Sequence, residues 1–425
     1  MTKSYLLFMC SLMLVPTIMN AQETYTAFFG NLHSHTSNSD GEGEPEDAFE
    51  YARYTAGIDF LAVTDHMEQI DMLEWYNVKN DADDATENGS FVAIAAWEWG
   101  SPLYGHINVF NTDEIISDVL NLWYYNDFDE FLDWLSENPP SIAQFNHPGD
   151  EETFNNWNDF EYVGESTDEI FALIEFQNVQ QATDWYEFAL SKGWHLSPVW
   201  NQDNHSADWG NKNNGRAGVW ANTLTRAELF EAIIAGRTFA TMDKNASVWI
   251  DINGVPMGGS LPVDHTMSLH INLTDTDVEN YASIEVVSQN GIIHSITNFS
   301  GDFNAVIDIS LGNDQWVFVR AVQTDGDYLW SAPVYLPGDV TGENIMQFQN
   351  EIKIFPNPAS GVVRIEAGNI TGNLDISTID GKLVYRDALF NAVTTLNTNM
   401  FQPGCYLVRL QTEDSQYKSK LIVVK

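Results

Sequence analysis

The chain has 425 residues, 44% of them hydrophobic and 13% aromatic, which is enough apolar material to bury sizeable cores and rules out a disordered tail. Its formal charge of −43 lies in residues 1–350, with ten Lys or Arg against 54 Asp or Glu, whereas residues 351–425 carry eight against seven. A body this acidic argues against general nucleic-acid binding, which needs clustered cations to displace counterions, and the step in charge marks a domain boundary.

At the start, Lys3 precedes an apolar run, Tyr5–Ile18, that ends in Met19–Asn20–Ala21. This fits a signal peptide, residues 1–21, and is shorter than the roughly 20 apolar residues a membrane span requires. The mature chain is expected to have no transmembrane segment. Cleavage would leave Cys405 as its one cysteine, so no intramolecular disulfide is expected.

Residues 22–243 alternate short apolar runs with amphipathic stretches, the pattern of an α/β fold with a largely parallel sheet. The spacing predicts strands at Ala27–Leu32, Phe60–Val63, Phe91–Ala95, Ile107–Phe110, Ile142–Phe145, Ala172–Phe176 and Leu196–Trp200. Helices are expected at Pro45–Ala56, Thr183–Lys192 and Arg226–Ala235, each closed by a glycine. Metal-competent side chains follow most of the strands. His33 and His35 come after the first, Asp65–His66 after the second and Glu98 after the third, and His106 leads into the fourth. Asn146–His147 and Asp203–His205 follow the fifth and seventh. In a β/α barrel the C-terminal strand ends converge on one mouth, where active-site groups sit.

Residues 244–337 lose the helical signal. Ser247–Ile252, Met267–Leu273, Ser283–Ser288, Ala305–Ile309, Val317–Gln323 and Ala332–Leu336 read as a small antiparallel β-sandwich. Residues 338–350 read as a linker, and 351–425 as a second all-β domain. His265, His270 and His294 lack ligand-like spacing and are read as structural or surface residues. His195, a strand length before Asp203, should face away from the mouth.

Nine residues before position 206 form a set of nitrogen and oxygen donors: His33, His35, Asp40, His66, Glu98, His106, His147, Asp203 and His205. On a strand, alternate side chains share a face, so His33 and His35 project together. Imidazole with carboxylate suits Zn, Fe or Mn rather than Ca, and nine donors exceed what one ion needs.

The runs His33–Ser34–His35–Thr36, Val63–Thr64–Asp65–His66, Trp97–Glu98–Trp99, Gly105–His106, Asn146–His147–Pro148 and Asp203–Asn204–His205 resemble the motifs of the PHP (polymerase and histidinol phosphatase) superfamily. The resemblance extends over about Phe28–Leu336 and is nearest to the exported carbamate-hydrolase-like branch. It implies a distorted (β/α)7 barrel, followed here by the sandwich, and a centre of two to three divalent transition ions, zinc foremost with Mn or Fe as alternatives. On the family's pattern His33, His35, Glu98 and Asp203 would hold one ion. Glu98 would bridge to a second held by His106 and His147, and Asp40, His66 and His205 would hold a third. The implied reaction is hydrolysis by metal-activated hydroxide, with Glu98 and Asp203 catalytic. Arg216 is a candidate cationic clamp, whereas Lys212 reads more simply as surface charge. Trp209 is a candidate stacking platform. The expected substrate is a small-molecule or glycan-linked phosphoester. The alternatives are a carbamate, ester or amide, and a non-catalytic surface binding protein.

The tail resembles a second family. Ile354–Phe355–Pro356–Asn357–Pro358, Asp380–Gly381–Lys382, Pro403–Gly404–Cys405–Tyr406 and Lys420–Lys425 are similar to the C-terminal sorting domain of type IX secretion in Bacteroidota. This implies the type IX machinery as a partner, and a secreted or cell-surface location.

Overall fold

The first apolar run forms β1, Thr26–Asn31, in the computed structural model. The structure describes residues 25–116, 127–149, 156–261, 267–277, 279–297, 301–311, 314–336, 353–355, 359, 361–378, 382–402, 404–411 and 416–423. The signal peptide (1–21) and the linker (338–350) lie outside the described residues.

After β1 the chain runs through β2 (Phe60–Val63), β3 (Val92–Ala95), β4 (Trp97–Ser101), β5 (Gly105–Phe110), β6 (Ile142–Phe145), β7 (Phe171–Phe176), β8 (Ser197–Trp200), β9 (Arg216–Ala221) and β10 (Thr238–Thr241). Every residue of β2 and β6 is buried, as expected of a strand covered on both faces. The helices lie between strands. Pro45–Tyr51 continues as a π-helical turn, Ala52–Ala56, and stops at Gly57 in the left-handed conformation. Thr225 caps Arg226–Ile234 by accepting from Glu228 N. Met72–Ala85, not foreseen, opens with a reciprocal capping box between Asp71 and Glu74.

The strands expected to line one barrel fall into two sheets, neither closed on itself, which parallel bridges at Ser34–Asn204 and His66–Glu98 join at the strand ends. β1, β2 and β3 are parallel to one another, and β1 pairs antiparallel with β9. In the second sheet, β4 and β5 are antiparallel, as are β5 and β6, while β6, β7 and β8 are parallel. The physical reason is the tight reversal between Trp97–Ser101 and Gly105–Phe110, too short for a crossover helix, which forces antiparallel pairing. The sheets nonetheless share a core. Leu32, Phe60 and Ile94 from the first pack in one buried cluster with Ile142, Leu173 and Val199 from the second.

The second region contains β11 (Ser247–Ile252), β12 (Val255–Pro256), β13 (Met267–Thr274), β14 (Tyr281–Ser288), β15 (Gly291–Thr297), β16 (Phe303–Ile309), β17 (Trp316–Gln323), β18 (Tyr328–Ser331) and β19 (Val334–Tyr335). β13 alternates strictly, with Met267, Leu269, Ile271 and Leu273 buried and its polar residues facing out. Of the run expected at Ala332–Leu336 only Val334–Tyr335 is strand; β18 ends before it at Ser331, and Pro333, between the two, has no N–H to donate to a ladder. β12, β11, β13 and β16 form one sheet. The other face of this sandwich is not a separate sheet: β15, β14, β17 and β18 continue through β10 and β9 into β1, β2 and β3.

The C-terminal region is an antiparallel sheet of Lys353–Phe355, Val362–Thr378, Leu383–Asn397, Gly404–Gln411 and Gln416–Val423, with its own core around Val363, Ile365, Leu374 and Val408. Among the described residues, no helix is long and apolar enough to cross a membrane.

Candidate metal centre

Glu98 lies at the middle of a convergence of side chains. It sits in β4 with its carboxylate buried, flanked by Trp97 and Trp99, which are also fully buried and pack on Phe131. Oε1 of Glu98 lies 3.3 Å from His33 Nε2, 3.1 Å from His106 Nδ1 and 3.7 Å from His147 Nε2. Its Oε2 lies 3.4 Å from His35 Nε2 and 3.1 Å from His66 Nδ1. Asn146 Nδ2 donates to Oε1 at 2.7 Å and fixes the rotamer.

Asp203 faces Glu98 across the two histidines of the first strand end. Its Oδ1 is 3.3 Å from His33 Nε2 and 3.2 Å from His35 Nε2. Asp40 holds the outer rim: one oxygen lies 3.3 Å from His205 Nε2 and 3.7 Å from His35 Nδ1, the other 3.8 Å from His66 Nε2. The nine donors are therefore gathered into overlapping clusters: His33, His35 and Glu98; His66, Glu98 and His106; His35, Asp40, His66 and His205. His147 and Asp203 adjoin the first of these.

Local structure explains the convergence. His35 N donates to Asn204 O, and Met67 N donates to Glu98 O, so the strand-end loops are stitched edge to edge. Asp65, just past the end of the second strand, orients the loop beside it. It is buried and accepts from Thr36 N at 2.7 Å, Thr36 Oγ1 at 2.6 Å and Ser39 Oγ at 2.6 Å, pinning the loop from His35 to Asp40. Gly41 closes that loop against the chain; a Cβ there would lie 2.6 Å from the His35 carbonyl carbon. His147 and Asp203 both have positive φ, at 31° and 44°, a strained conformation held by the surrounding bonds.

The electrostatics match the geometry. Burial would push the Glu98 carboxyl up, but His33 and His106 override it and hold it well below the usual carboxylate range. Asp203 is likewise held down against burial, chiefly by His33. Burial lowers His33, yet Glu175, Asp203 and Glu98 carry it well above the ordinary imidazole value. His147 is raised to about 9, its burial opposed by Glu98 and Glu175. Protons and metal ions compete for such sites, since an imidazole must be neutral to ligate.

Two residues at the centre escaped the sequence reading. Glu175, fully buried in β7, accepts from His33 Nδ1 at 2.9 Å and from His147 N at 2.8 Å. Its signal was a carboxylate in the otherwise apolar strand Phe171–Phe176, because a charge is almost never fully buried without a partner. Glu68 Oε1 lies 3.7 Å from His66 Nδ1, and burial raises its pKa to about 7.

Other candidates lie apart. The buried Arg216 guanidinium donates to Asn213 O and Gly215 O and is not among the groups around Glu98. Lys212 Nζ donates to Gln202 O and Asp203 O, so it braces the last ligand loop. Trp209 presents no open face. It is buried, and its Nε1 donates to His35 O at 2.9 Å. His195 pairs with Asp168 at 2.6 Å, and His270 with Asp251 at 2.9 Å, both away from the centre.

Three solved structures show some likeness to the chain. A two-domain protein containing a predicted PHP-like metal-dependent phosphoesterase from Bacteroides vulgatus aligns at 14% identity over 73% of this chain and 95% of its own, with a TM-score of 0.41. PsfC from Pseudomonas syringae aligns at 12% identity over 46% and 82%, TM-score 0.34. The lesion-specific endonuclease PfuEndoQ from Pyrococcus furiosus aligns at 12% identity over 49% and 56%, TM-score 0.35. No curated protein matches the chain. Residues 353–424 match the family model described as "Secretion system C-terminal sorting domain". The C-terminal sheet is thus a secretion sorting domain, and it marks the protein for the cell surface or the medium.

Proposed function

We propose that the protein is a secreted metal-dependent hydrolase of the PHP superfamily, its two facing sheets a distorted barrel and its substrate a phosphoester. The observation that carries this reading is the gathering of six imidazoles and three carboxylates, Glu98 among them, into overlapping clusters. The donors suit divalent transition ions: His66 Nδ1 and Glu98 Oε2 are buried and make no hydrogen bond, as atoms that face a cation would.

Bound ions would supply Lewis acidity, lowering the pKa of a water and neutralising charge on the electrophile. His33, His35, Glu98 and Asp203 would hold one ion, Glu98, His106 and His147 a second, and Asp40, His66 and His205 a third. The chain's own part is positioning. Glu175 and Asn146 lock the inner ligands, Asp65 fixes the outer loop, and Trp97 and Trp99 keep water from the back of Glu98. Lys212 and Arg216 are both committed to backbone carbonyls, so a phosphate would depend on the ions for its charge.

The test is metal analysis and a substrate panel on the purified full chain. Two or more transition ions per chain, with turnover of aryl phosphates that tracks their occupancy, is the expected result. Turnover of aryl esters or carbamates without phosphates would move the reading to carbonyl chemistry. A full complement of ions with no turnover on either class would leave a binding protein.

A further inference from the structure

A second group of acidic side chains lies at one end of the sandwich, and its chemistry is unlike that of the histidine centre. Asp243 follows β10, Asp275 follows β13 and Glu279 precedes β14; an oxygen of each lies within 4.8 Å of the others. Asp243 and Asp275 are buried. Carboxylates in ordinary acidic patches point into water, where solvent screens their repulsion. Two of these three are withdrawn from it.

The stronger observation concerns the neutral neighbours. Gln323, on β17, is 1% exposed and is aimed at the cluster: its Nε2 donates to Asp275 Oδ2 at 2.9 Å, while its Oε1 is buried with no hydrogen-bond partner. Asn245 Nδ2 donates to Asp277 Oδ2 at 2.9 Å, and its Oδ1 is likewise buried and unsatisfied. Glu279 Oε2 is a third such atom. All three are acceptors that cannot donate to each other, and a buried acceptor left unpaired keeps the full cost of losing its water. One amide oxygen left over would be unremarkable. Two unpaired amide oxygens and an unpaired oxygen of Glu279 itself, in a group of three gathered carboxylates, ask for a cation.

We propose that Asp243, Asp275 and Glu279, with the side-chain oxygens of Asn245 and Gln323, form a calcium site that ties the two sheets of the sandwich together. The donor set is oxygen only, with no imidazole or thiolate, which selects a hard cation with a high coordination number. Asp275 comes from the four-stranded sheet; Gln323 and Glu279 belong to or adjoin the long one; Asp243 and Asn245 lie on the turn between β10 and β11. A single ion would therefore clamp three chain segments that otherwise repel. It would act on stability, independently of any hydrolysis at Glu98.

The experiment uses the full chain stripped of divalent ions. Calcium is titrated while melting is followed by calorimetry, and terbium is used as a luminescent stand-in, sensitised by nearby aromatic rings such as that of buried Tyr281. The expected result is a saturable rise in melting temperature, and terbium emission that calcium displaces. Glu279→Gln should weaken calcium by about tenfold or more, because affinity follows ligand charge. The same variant should melt no lower than the wild type without calcium, because it removes a repelling charge. Glu98→Gln should keep the full calcium response. The proposal fails if calcium leaves the wild-type melt unchanged, if Glu279→Gln responds as the wild type does, or if Glu98→Gln abolishes the response. Asn245→Ala is the second variant, and an unchanged calcium affinity there would remove Asn245 from the site.

Discussion

Glu175 Oε1 accepts from His33 Nδ1 at 2.9 Å, and the other oxygen of the same carboxylate holds the backbone N–H of His147. One buried group therefore orients His33 of the first cluster and the loop that presents His147 beside it. Glu175→Gln keeps the shape but replaces an acceptor with a donor on one side. Metal affinity should fall about 10–100-fold while the fold is retained, as is usual when a partner behind a ligating histidine is changed. Competitive chelator titration with circular dichroism reads both, and unchanged affinity would remove Glu175 from this role.

Glu98 belongs to two of the three clusters and lies against His35 and His66 of the outer one. Glu98→Gln should lose at least one ion per chain by elemental analysis, and aryl phosphate turnover should fall to background. A variant that keeps the wild-type metal count would break the bridging assignment.

Asp65 accepts three hydrogen bonds from the loop between His35 and Asp40. Asp65→Ala would leave Thr36 N buried without its partner and should cost roughly 3 kcal/mol in urea unfolding. The metal loss should be selective for the ion assigned to Asp40, His66 and His205. Equal loss at all positions would make Asp65 a general support of the fold.

The pH response should change sign with metal. In the metal-free protein His147 titrates at about 9: burial pulls its pKa down, and Glu98 and Glu175 outweigh burial. A raised imidazole contributes stability that is complete below about 6.5, its unfolded value, and is lost as pH rises through the folded one. The metal-free melting temperature should therefore fall between about pH 6.5 and pH 9. Metal affinity should rise over the same window, because the ion displaces those protons. A metal-free melt that rises across it would contradict the assignment.

Ending the chain before Glu351 should leave hydrolysis intact and abolish delivery to the surface. Activity in cell fractions, with and without the matched 353–424 region, checks this.

The residues gathered around Glu98 were legible because they follow apolar runs: β2 and β6 begin and end where the hydrophobic pattern says, and His66 and His147 come just after. The helix Met72–Ala85 was not, since only Trp75, Val78 and Ala82 are buried on a largely polar stretch. β9 and β10 escaped because a helix with strong caps separates them and drew the reading to itself. Arg216 looked free to meet a phosphate from its place after the last motif. The carbonyls that hold it are backbone groups, and sequence does not display where those point. Sheet closure was equally hidden, since strand direction depends on the turn between β4 and β5 rather than on composition.

The pairing of β10 with β18 bears on how the molecule is made. Phe239, Ala240 and Thr241 pair on one side with Arg216–Gly218 of β9 and on the other with Leu329–Ser331, so the second edge of β10 stays open until Ser331 has been made. Until then the free edge of β10 is a template for any other extended chain.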